Sequence, residues 1–132
     1  MRSSIGGRGP GLALGLWLAG TMPGHAQERM DIMRIFEQFV MAKAAAARCV
    51  AQETDLDRSW SANFATIMLR SIQAVRERNP AIPESRIDAA LRSLADRLRA
   101  SVEALIDREG CASPDGQHLQ RLYRQQASMR LP

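Results

Sequence analysis

The chain has 132 residues, 18 basic and 14 acidic side chains, two cysteines and two histidines. That length suits one compact domain, and the near balance of charge excludes the strong basic field of a nucleic-acid binder. The high isoelectric point comes from arginine, since Lys43 is the only lysine.

Arg2 and Arg8 form a basic start, and Gly11–Gly20 (GLALGLWLAG) is a short apolar run. TMPGHA follows, with Gly24 and Ala26 at the −3 and −1 positions of a small-residue cleavage site. This order of features predicts a secretory signal over residues 1–26. The apolar run is about half the roughly 20 residues that cross a bilayer, so no stable membrane insertion is expected after cleavage. Removing 26 of 132 residues leaves a single helical domain over 27–132, with 16 basic and 14 acidic side chains. Its expected place is the bacterial periplasm or the exterior.

Four helices follow in the pattern. In Gln27–Gln52, Ile32, Ile35, Phe39, Ala42, Ala46 and Cys49 recur at steps of three and four, the period of one helix face. Thr54 and Asp57 have capping-box spacing and start a second helix with Trp60, Phe64, Ile67, Met68, Ile72 and Val75 as its stripe. Asn79-Pro80 ends it, because the residue before proline is pushed out of the α region. A third helix runs from Ser85, with Asp88 completing a second capping box, to Gly110. Its stripe is Ile87, Leu91, Leu94, Leu98, Val102 and Leu105, and its regularity marks it as the element around which the others gather. Ser113 and Pro114 read as N-cap and first residue of a last helix, Pro114 to about Met129. Leu119, Leu122, Tyr123 and Gln126 make its narrow inner side, so it is expected to be the least firmly held.

No sustained alternation marks a strand. The fold class expected is all-α: a small four-helix up-down bundle, or a three-helix core with a loosely packed fourth helix. One Cys49–Cys111 disulfide should staple it, since two distant cysteines in an exported chain favour a bridge over a metal site.

The residues that carry chemistry are sparse. His118 is the single histidine of residues 27–132, too few for a histidine metal site, and the five methionines there are scattered. Asp88/Arg92 and Asp96/Arg99 have the spacing of helical surface pairs. There is no C-x-x-C, no nucleophile elbow and no glycine-rich phosphate loop. No catalytic residue, metal, cofactor or nucleic-acid partner is expected, and the chain is expected not to be an enzyme. Its expected role is a non-catalytic interaction module, a subunit or adaptor of a larger protein. Leu119, Arg121, Leu122, Tyr123, Arg124 and Arg130 are the candidate partner surface, because Tyr and Arg dominate binding hot spots. A small acid-responsive chaperone is the alternative, since protonating the carboxylates would leave a self-repelling positive chain. A ligand carrier or enzyme is the remote one.

Overall fold

The computed structural model describes residues 24–131, with side chains from residue 31 onward; residues 1–23 of the expected signal lie outside the described residues. Four helices are present: α1 Gly24–Cys49, α2 Thr54–Arg78, α3 Glu84–Glu109 and α4 Pro114–Ser128. No strand occurs among the described residues, so the chain is the all-α four-helix bundle that its periodicity implies. Cys49 and Cys111 are disulfide-bonded, with Cα atoms 5.6 Å apart across 62 residues of chain. The bridge ties the C-terminal ends of α1 and α3, which therefore run in the same direction. Arg76 of α2 and Glu84 of α3 pair at 3.2 Å across the short 79–83 link at the opposite end.

The hub is α1, not α3. It packs against all three other helices, whereas α3 leans on α1 and meets α2 and α4 only sparingly. The residues show why. Beside the seam of Phe39, Ala42 and Ala46, α1 also buries Phe36, Val40, Ala44 and Ala45, so its apolar arc is wide enough for several neighbours. On α3, Ile87, Leu91, Ala95, Val102 and Ile106 are buried, while Leu94, Leu98 and Leu105 stay half-buried. A stripe that narrow satisfies one neighbour. Ile32 and Ile35 of the α1 stripe and Phe64 of the α2 stripe are likewise half-buried at the core's margin.

The last helix is not loose either. Gly116, Leu119, Tyr123, Gln126 and Ala127 are all buried, and α4 packs on both α1 and α2. The three-helix alternative therefore fails for α4, and α3 is the peripheral element. Two apolar clusters result. The larger holds Phe36, Phe39, Trp60, Ile67, Leu91 and Tyr123, and the smaller holds Ala44, Ala45, Val102, Ile106 and Leu119 beside the disulfide.

Local signals hold at one joint and give way at two. The Ser113 hydroxyl accepts from the Gly116 N–H at 3.0 Å, and Pro114 follows in the first turn, as expected. Gly110 takes φ +90 and ψ 163, a conformation that essentially only glycine adopts, and its N–H closes α3 onto Ile106. Neither capping box forms. The N-caps are Glu53 and Pro83, without side-chain caps. The carbonyl of Pro83 accepts from the Arg86 and Ile87 N–H groups instead, and both carboxylates have better partners: Asp57 reaches Lys43, and Asp88 accepts from Arg92 at 2.8 Å.

Candidate functional site

Two features stand out where α1, α2 and α4 meet and where α2 and α3 part. The first is a polar cluster. Lys43 projects from the alanine-rich face of α1, half-buried between α2 and α4. Asp57 forms an ion pair with it, and the Tyr123 hydroxyl donates to the same carboxylate at 3.2 Å. The Lys43 ammonium also lies 5.5 Å from the Trp60 ring centre and 5.4 Å from that of Tyr123, within cation–π range. The Trp60 indole donates to Gln126 Oε1 at 2.7 Å, and the Asn63 amide donates to the carbonyls of Gln126 and Met129, ending α4. Hydrogen bonding from Lys43 holds the Asp57 carboxyl below the usual range, against the opposing effect of partial desolvation. Burial, reinforced by the Asp57 charge, raises the Tyr123 hydroxyl above its ordinary value. These groups satisfy one another: no buried side-chain nitrogen or oxygen among the described residues lacks a partner. The cluster is a three-helix latch. A hollow of about 180 Å³ beside it is lined by Lys43, Ala47, Val50, Glu53 and Tyr123.

The second feature is a groove of about 840 Å³ between α2 and α3. Phe36 and Val40 of α1 form its floor, Phe64, Met68 and Ile72 of α2 one wall, and Ala95 of α3 part of the other. Small side chains leave it open: Ser61 and Ala65 recur at a step of four along α2, facing Ala95. Leu69, four residues further, is 58 % exposed, the most exposed large apolar side chain described. The rim arginines do not bridge the gap, because Arg92 and Arg99 turn back onto Asp88 and Asp96 of their own helix.

The six residues expected to form a partner surface do not come together as one. Leu119 and Tyr123 are buried, Leu122 is half-buried, and only Arg121, Arg124 and Arg130 are exposed. Tyr123 serves the latch instead. A signal for that latch is legible in hindsight: the only lysine stands beside the alanine run of an otherwise apolar helix face. The groove has a fainter signal, the small-small-Leu strip of Ser61, Ala65 and Leu69. Asp88, Arg92, Asp96 and Arg99 are exposed or half-buried as expected of a charged face, yet they also edge the groove.

Among the described residues no group of three or more His, Cys, Asp or Glu is placed to hold a metal ion. No helix there is long and apolar enough to cross a membrane. No family model, curated protein or solved structure matches the chain.

Proposed function

We propose that the chain is an exported, non-catalytic interaction module that receives an amphipathic helix of a larger protein partner in the α2–α3 groove. The groove is the observation that carries this reading. Its α2 wall runs from Trp60 to Ile72 and its α3 rim from Glu84 to Arg99. At 1.5 Å per residue those spans are about 18 and about 22 Å, or three to four turns of helix. An apolar floor with a charged rim is the pattern of helix-in-groove recognition. Export through the 1–26 signal agrees with the disulfide, which persists in oxidising compartments.

The test is titration of the protein with a labelled 14-residue peptide carrying leucine at steps of three and four, followed by fluorescence anisotropy. Saturable binding in the micromolar range is expected. Ala65→Arg, at an exposed groove position where arginine keeps the helix, should weaken binding at least tenfold. Equal binding by both proteins, or none by either, contradicts the reading.

A further inference from the structure

We infer that the groove selects its partner helix by shape, through one hole at the Ala65–Ala95 level that takes a single aromatic side chain; this rests on the groove reading above. Charge does not select there, because the pairs Arg76–Glu84, Arg92–Asp88, Arg99–Asp96 and Lys43–Asp57 leave the rim locally neutral. The hole follows from the register of the two walls. Arg76 and Glu84 meet across the short link, so residues counted back along α2 and forward along α3 from that pair stay about level. Four residues in, Ile72 is level with Asp88; eight in, Met68 with Arg92; eleven in, Ala65 with Ala95; fifteen in, Ser61 with Arg99. All of them line the groove, and steps of four, four, three and four keep one face of each helix toward it. Every level but one carries a branched, long or charged side chain. Only Ala65 and Ala95 stop at Cβ on both walls, about 16 Å in from the Arg76–Glu84 end.

The ground beside that hole is aromatic. Phe64 of α2 stacks on Phe36 at 5.8 Å, on Trp60 at 5.0 Å and on Phe39 at 6.2 Å between ring centres. Phe36, Phe39 and Trp60 are buried and have almost no surface left to offer. Phe64, one residue before Ala65, is half-buried and keeps part of its ring on the groove. A ring that drops from outside between Ala65 and Ala95 extends this stack by one member. Aromatic pairs add about two- to twelvefold in affinity beyond the area they bury. A leucine in the same hole gains the area alone. The occupant that fits is a helix of three to four turns whose apolar stripe carries an aromatic residue at one position.

Anisotropy titration of the full chain with three peptides tests this. The first is the leucine-stripe peptide of the titration above, and the second has one central leucine replaced by phenylalanine. The third has cyclohexylalanine there, which keeps the bulk of the ring without its π face. The phenylalanine peptide should bind about two- to twelvefold tighter than either of the others. Its ring protons should also give nuclear Overhauser contacts to the Ala65 and Ala95 methyl groups of the isotope-labelled chain. Ala65→Leu, at an exposed position where leucine keeps the helix, fills the hole and should erase the preference while the leucine-stripe peptide still binds within a few-fold. Phenylalanine binding no tighter than leucine, cyclohexylalanine matching phenylalanine, or a preference that survives Ala65→Leu overturns the inference and leaves the groove reading standing. Failure of all three peptides to bind, or binding indifferent to Ala65→Arg, removes the groove reading and the inference with it. A chain that sediments as a dimer and becomes a monomer on Ala65→Arg assigns the groove to a second copy and overturns the proposal.

Discussion

Asp57 shows how one side chain changes its work when the fold forms. Its place in a first helical turn marks it as a cap, but Lys43 and Tyr123 draw it across to α1 and α4. Its folded pKa is lowered, so its contribution to stability is present above the unfolded carboxylate value of about 3.9 and is lost as pH falls through the folded value. With about a third of the Asp57 side chain exposed, solvent screens the pair and the contribution is about 1 kcal/mol or less. Denaturant unfolding of Asp57→Asn should thus show a deficit at pH 7 that vanishes near pH 2; an equal deficit at both would mean that the loss comes from packing. The Trp60–Gln126 bond is the stronger contact because both residues are buried. Gln126→Ala leaves the indole N–H without a partner and should cost about 1–3 kcal/mol; a neutral result in the same unfolding experiment would show water replacing the amide. Gly116, in the first turn of α4, is a different case. A Cβ there would stand 2.9 Å from the carbonyl oxygens of both Gly110 and Cys111, so this glycine permits the turn into α4 to close.

At the scale of helices, the regularity of a stripe proved a poor guide to centrality. The α3 stripe carries bulky side chains along its whole length, yet it packs mainly on α1, and α1 is the hub because Phe36, Val40, Ala44 and Ala45 widen its apolar arc. The helix positions, the Ser113 cap, the Gly110 stop and the cysteine pair were legible because each depends on residues within a turn or two, or on there being only two cysteines. Which helices touch depends on arc width, which a list of stripe residues at steps of three and four discards. The arrangement makes α3 the element held least by packing and most by the disulfide at its end. Hydrogen exchange after reduction should therefore show residues 84–100 losing protection before α1 and α4 do. Simultaneous loss throughout would mean that α3 is as integral as the others. Within α3, Leu91→Ala should cost about 2–5 kcal/mol and Leu98→Ala less, since Leu91 is buried and Leu98 half-buried.

For the molecule as a whole, the bridge closes 62 residues and is worth about 4 kcal/mol in the chain-entropy model. That is comparable with the entire stability of a small domain, about 5–15 kcal/mol. Reduction should lower the melting temperature sharply by circular dichroism, and an unchanged transition would mean that packing alone holds the bundle. The staple also bears on the groove, because it anchors α3 to α1 at one end while α3 stays apart from α2 along the middle. The groove itself was only faintly legible in the sequence, in the strip of Ser61, Ala65 and Leu69. Ser61, Ala65 and Ala95 are too small to announce a cleft, and the rim charges read equally as an ordinary wet face. Whether that cleft is the working surface is the central claim, and chemical-shift mapping of the isotope-labelled chain with the leucine-stripe peptide tests it most directly. Saturable shifts gathered on Ala65, Leu69, Ala95 and Arg99 are the predicted result; shifts gathered on Arg121, Arg124 and Arg130 of α4, or none that saturate, would contradict it.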